Sequence, residues 1–298
     1  MKNATLTVAV VFLWLAMSGP VALALAPMGP PKGLLEKGRW AIDAEYSYGQ
    51  MDLKACGDCA YSVYLAVVPD EGEPTEETVP GVVTQGIEID NLKSNMFLAS
   101  LAYGLCDNWD VYARVGAADA KGKVYNGRFS GGFGFVGGLG TRATFCESGK
   151  LTWGGLLQVT WTNPGRDNVT LTEPVSVGED DYLIPITGPM RIHWHEVQAA
   201  VGPTLRMGDF SVYGGAFVHY VNGTIDWNGT GTITEEGPSY TKVVSPTLAC
   251  EFDVGERSEF GGYAGAMWNV IDNASIYVEG QFTGMDYGIM AGGYLAVP

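Results

Sequence analysis

The sequence predicts an all-β chain, a transmembrane antiparallel up-and-down β-barrel of about ten strands with short periplasmic turns and long extracellular loops. Three observations lead there. Apolar residues recur with a period of two, tight turns alternate with long polar connections (only the last of these, Gly284-Met285, is short), and no amphipathic helix follows the N-terminal stretch. Composition agrees. The 298 residues are 46% hydrophobic and only 17% charged, with 42 glycines, 8 Trp, 15 Tyr and 11 Phe. A disordered chain would be far less apolar. The net charge of −16 leaves no basic stripe for phosphates, so nucleic acid is excluded as a partner.

The N-terminus reads as a targeting signal. Lys2 precedes an apolar stretch from Ala4 to Met17, and the small-residue series Val21-Ala22-Leu23-Ala24-Leu25-Ala26 supplies an A-x-A cleavage pattern. The expected division is a signal peptide at 1–24 cut after Ala24, a Pro-rich periplasmic lead at 25–38, and a barrel domain at 39–298. The exported chain is expected in the outer membrane of a diderm bacterium.

The strands follow in order. At 39–49, Trp40, Ile42, Ala44, Tyr46 and Tyr48 alternate with Asp43, Glu45 and Ser47. The strand at 92–105 is apolar on both faces. At 109–118, Trp109, Val111, Ala113 and Val115 alternate with Asp110, Tyr112 and Arg114. Strands at 131–146 and 151–162 follow, joined by Glu147-Ser148-Gly149-Lys150. Those at 191–206 and 209–224 are joined at Met207-Gly208. At 260–270 and 275–283, Ile276, Val278 and Phe282 alternate with Tyr277, Glu279 and Gln281, and 286–297 completes the set. The connections at 50–91, 119–130, 163–190 and 225–259 are long and polar and read as external loops.

Opposed residues share a face, which fixes trial registers. A two-residue turn at Met207-Gly208 sets Arg206 opposite Asp209, Gln198 opposite Phe217 and Glu196 opposite His219. A three-residue turn at 272–274 sets Ile276 opposite Val270, Val278 opposite Trp268, Tyr277 opposite Asn269 and Glu279 opposite Met267. Phe217 and Met267 then point inward among mostly polar neighbours. A faint repeat overlays 105–114, 208–215 and 270–279, with Tyr112, Tyr213 and Tyr277 inward. Trp40, Trp109, Trp153, Trp161, Trp194, Trp227 and Trp268 fall near strand ends more often than at strand centres, as an interfacial aromatic girdle would have them.

The stretches 103–116, Trp194-His195-Glu196-Val197-Gln198 and 260–282 resemble small outer-membrane β-barrel proteins of Gram-negative bacteria, the OmpA-like and porin-like group. The resemblance runs through generic hairpin patterns and includes no family-defining site. It implies contact with outer-membrane lipid and lipopolysaccharide and insertion by the barrel-assembly machinery. Such barrels commonly end in an aromatic residue; this sequence ends Gly293-Tyr294-Leu295-Ala296-Val297-Pro298, with Tyr294 the nearest substitute.

The expected interior polar network is Asp43, Glu45, Asp110, Tyr112, Arg114, Arg142, Glu196, Arg206, His219, Tyr277 and Glu279, with acid and base pairing across a narrow lumen. The acid is concentrated at 50–91 and 163–190, the expected surfaces for an extracellular partner. Cys56-Gly57-Asp58-Cys59 reads as a local disulfide in an oxidising compartment, leaving Cys106, Cys146 and Cys250 unassigned. His193 and His195 point away from Glu196 and His219, so no metal site and no cofactor is expected. A hydrolase built from Asp180, Asp181 and His219 at the outer rim has no matching motif, and the chain is not expected to be an enzyme. The functional expectation is a structural or porin-like barrel with narrow passive diffusion of small cationic solutes. The alternative is an adhesin or receptor using the acidic loops.

Overall fold

The computed structural model describes residues 25–177, 180–256, 260–284 and 286–297. The expected signal peptide at 1–24 lies outside the described residues. The described residues form thirteen antiparallel strands in one sheet: β1 (Trp40–Pro69), β2 (Thr75–Cys106), β3 (Trp109–Val124), β4 (Gly127–Ser148), β5 (Leu151–Asn163), β6 (Asp167–Val177), β7 (Asp180–Met207), β8 (Phe210–Thr230), β9 (Ile233–Gly237), β10 (Tyr240–Glu256), β11 (Phe260–Ile271), β12 (Ala274–Thr283) and β13 (Tyr287–Val297). Pairing runs β1–β2–β3–β4–β5–β7–β8–β11–β12–β13 and returns to β1, closing a ring.

The long polar connections are not loops. β1, β2, β7 and β8 continue far beyond the predicted strand ends, and β6, β9 and β10 form there as well. Beyond the ends of β11 to β13, β10 bridges β8 to β1 and so carries the wall outward. Charged outward residues hid this from a composition reading, while the inward positions kept their period of two. Leu53, Ile89, Val169, Ile184, Ile225 and Val244 are all buried in an apolar core that fills the outer storey.

Around the ring proper the sidedness is reversed. Ile42, Leu101, Val115, Leu139, Leu157, Ile276 and Val278 project outward and stay exposed. Trp40, Trp109, Trp153 and Trp268 stand near the short turns, each about half exposed, and Trp161 sits farther up β5. Trp194 and Trp227 are buried in the core and do not join this belt.

Both trial registers are corrected by two residues. At the β7–β8 turn Met207 pairs with Phe210, which sets Gln198 against His219, Ala200 against Phe217 and Glu196 against Val221. At β11–β12 a two-residue turn is followed by a bulge at Val270, so Trp268 meets Ile276 and Gly265 meets Glu279. A shift of two preserves the facing of every side chain, whereas a shift of one would invert it. Phe217 and Met267 are accordingly buried inside.

Candidate functional site inside the ring

Alternation places the polar side chains of six strands in one interior layer. Asp43 and Glu45 come from β1, Asp110, Tyr112 and Arg114 from β3, Arg142 from β4, Glu196 and His219 from β7 and β8, and Tyr277 and Glu279 from β12; all are buried. Arg206 is the exception. It keeps the inward facing, opposite the buried Ser211, but stands beside the β7–β8 turn where the ring ends and is exposed at the rim.

Ion pairs join the layer. Arg142 Nε lies 3.1 Å from Asp110 Oδ2, its directly opposed strand partner. Arg114 stands 3.9 Å from Glu45, which also accepts from the Tyr277 hydroxyl. His219 Nδ1 lies 3.5 Å from Glu196 Oε1. Both guanidinium groups sit over the Tyr112 ring, at 4.9 and 5.4 Å from its centroid. Three glutamines complete the layer. Gln158 accepts from Tyr112 (2.7 Å) and Arg114 (2.7 Å) and donates to Gln198, which donates to Gln281 at 3.4 Å. Gln158 was not anticipated as a site residue, although its place on an alternating strand supplies the signal.

The Pro-rich lead is not peripheral to this layer; it runs through it. Ala26 N–H donates to Glu196 Oε2 (3.2 Å), and Ala26 O accepts from Gln281 (3.1 Å). Pro27 O accepts from both Arg114 (2.8 Å) and Gln158 (3.0 Å). Farther along, Gly33 donates to Thr144, and the Leu34 and Leu35 N–H groups donate to the two oxygens of Asp110 at 2.7 and 3.2 Å. Tyr294 donates to Leu34 O. The prolines suit this course: a segment without regular structure cannot satisfy its own backbone, so the ring's charged groups do so. Lys32, half-buried near the inner rim, has its pKa lowered by burial and by Arg206, with Glu147 opposing.

Other predicted positions separate. Cys56 and Cys59 lie on one continuous strand, and residues three apart there point to opposite faces roughly 10 Å apart. Cys59 is instead bonded to Cys250, its direct partner on β10, while Cys56, Cys106 and Cys146 are free and exposed. His219 is buried opposite Gln198, far down β7 from Asp180 and Asp181, so the rim triad does not assemble. His193 faces away from Glu196 and contacts Thr224 at 3.0 Å.

At the outer end, Tyr61, Val63, Leu65, Val67, Val79 and Tyr240 line a cleft of about 640 Å³ with Lys242 at its edge. Lys242 Nζ is 2.6 Å from Asp180, and Tyr182 donates to Glu235 at 2.9 Å.

No protein-family model and no curated protein matches the chain. Among solved structures it is similar to the outer-membrane protease OmpT of Escherichia coli, with TM-score 0.41 and 10% identity over 92% of this chain and 99% of that one. It is also similar to the autotransporter NalP translocator domain of Neisseria meningitidis (TM-score 0.37, 12% identity, 82% and 88% covered). A third is the Ralstonia pickettii toluene transporter TbuX (0.33, 15%, 93% and 94%). These three are outer-membrane β-barrels.

Proposed function

We propose that the protein is an outer-membrane β-barrel, closed by its own N-terminal lead, that carries a rigid β-structured recognition surface outside the cell. Ten strands of the ring cross the membrane in this reading. The exposed apolar outer face, bordered by tryptophans, supports that placement, since a soluble protein rarely leaves so large a patch uncovered. The Cys59–Cys250 bond suits an oxidising compartment.

The single observation that carries the function is the occupancy of the interior by residues 25–35. Their backbone is bound by Asp110, Arg114, Gln158, Glu196 and Gln281, and the apolar core lies beyond them. A diffusion path would have to displace both. Recognition falls to the outer storey, where the acidic segments at 50–91 and 163–190 flank the cleft edged by Lys242. Lipopolysaccharide and the assembly machinery remain proposed partners, and no catalytic role is proposed.

Planar-bilayer recording tests the reading. The purified protein is expected to give no channel steps, and deletion of 25–35 from the exported chain is expected to open a small conductance. Steady steps from the intact protein would favour the second reading, a narrow cation-preferring pore, for which the surplus of interior carboxylates speaks.

A further inference from the structure

Leu25 and Ala26 are 1% and 0% exposed, enclosed by the ring at the depth of Glu196, Gln281 and Met290. Glu196 accepts the Ala26 N–H at 3.2 Å, and Gln281 ties Ala26 O to Glu279 through one amide nitrogen at 3.1 and 2.9 Å. Two buried carboxylates therefore flank the start of the lead. The layer holds five carboxylates, Asp43, Glu45, Asp110, Glu196 and Glu279, against the guanidinium groups of Arg114 and Arg142 and the imidazole of His219. Glu279 also meets the Tyr213 hydroxyl and the Met28 N–H, so the backbone of the lead touches this carboxylate directly. Charge buried without a counter-charge is costly, so carboxylates in such excess either keep their protons or meet a further cation.

We propose that this cation is the α-ammonium group of Leu25, and that the interior is a docking site for a processed N-terminus. The proposal rests on the closed-barrel reading and extends it: the lead seats only after the chain is cut. The step is hydrolysis of the Ala24–Leu25 amide by a signal peptidase. Water supplies a hydroxyl to the Ala24 carbonyl carbon, the C–N bond breaks, and the released Leu25 amine takes up a proton. One residue upstream of Ala26, that ammonium falls beside Glu196. An uncut chain would carry a neutral amide at this point and leave the carboxylates without that charge.

The test uses protein extracted from outer membranes and kept folded in detergent. N-terminal sequencing is expected to read Leu-Ala-Pro-Met. Acetylation with an N-hydroxysuccinimide ester at about pH 8, where a free α-amine is reactive, is expected to modify the exposed Lys37 and Lys54 but not Leu25. Heat unfolding should release Leu25 for labelling. The Glu196→Gln/Glu279→Gln variant should label Leu25 roughly tenfold faster or more while still folded, as loss of a charge-assisted hydrogen bond raises the open population. A different N-terminus, or equal Leu25 labelling in folded and unfolded wild-type protein, would overturn the proposal. Neither result depends on conductance, so failure of the closed-barrel reading is seen separately.

Discussion

The Tyr277 ring covers Gly292, its direct partner across the β12–β13 ladder, so closely that a Cβ on Gly292 would stand 2.5 Å from the ring's Cζ. The same relation holds for Tyr112 over Gly140 and Tyr213 over Gly265, each an opposed pair. These are the three tyrosines of the faint sequence repeat. The glycines let bulky rings lie along the wall and leave the centre of the ring for the lead. Gly292→Ala is expected to cost about 1–3 kcal/mol, the usual range for overpacking. It also displaces the Tyr277 hydroxyl from Glu45. Gly132→Ala on β4, where a Cβ meets nothing within 4 Å, is expected to stay within about 0.5 kcal/mol of wild type. Urea midpoints followed by heat-modifiable gel migration would decide; equal midpoints for the two variants would refute the packing account.

Asp110 anchors the lead to the wall. It is fully buried and accepts from Leu34 N, Leu35 N and Arg142 Nε. Asp110→Ala strips three donors of their acceptor and leaves Arg142 buried without its ion pair, a loss of about 3–5 kcal/mol. The lead should then be cut by trypsin near Lys32 or Lys37 in otherwise folded protein. A lead as resistant as wild type, with an unchanged urea midpoint, would show that Asp110 does not hold it.

Much of this interior was legible from alternation alone. Asp43, Glu45, Asp110, Arg114, Arg142, Glu196, His219 and Glu279 all lie inside, since facing depends on parity and survives the two-residue register errors. The bulge at Val270 shows why the β11–β12 register was missed: an extra residue restores parity after a two-residue turn. In the outer storey the charge of the sequence masks its periodicity: Leu53, Ala55, Cys59 and Val63 keep the inward positions of β1 among polar neighbours. The course of the lead had no periodic signal. Prolines exclude regular pairing, and only the buried charges of distant strands determine where 25–35 go.

The Cys59–Cys250 bond joins residues 191 apart in sequence and ties β1 to β10. Without reductant, a maleimide should label three thiols in unfolded protein, Cys56, Cys106 and Cys146, and all five cysteines after reduction. Cys59→Ser/Cys250→Ser should lower stability by roughly 2–4 kcal/mol. Cys56→Ser should be nearly silent, because that thiol faces solvent. Protection of Cys56 from the maleimide before reduction would restore the local bridge and remove the cross-strand one.

The Asp180–Lys242 pair pins the outer tip of β7 to β10 at 2.6 Å. Hydrogen bonding to Lys242 lowers the Asp180 pKa, and hydrogen bonding to Asp180, then to Tyr182, raises that of Lys242. Asp180 therefore contributes above the ordinary carboxylate pKa, about 3.9, and its contribution fades as pH falls through the lower folded value. Lys242 contributes fully below the ordinary lysine pKa, about 10.4, and its share fades only as pH rises through the higher folded value. The tip should be equally tight from about pH 4 to pH 10 and loosen at either extreme. Asp180 is largely exposed, so solvent screens the pair and global stability should barely respond. Asp180→Asn should speed amide exchange at 180–186 while leaving the urea midpoint in place. Unchanged exchange at the tip, or a tip that loosens between pH 5 and pH 9 in wild type, would mean that the pair does not hold the hairpin and that the β6–β7 ladder alone does.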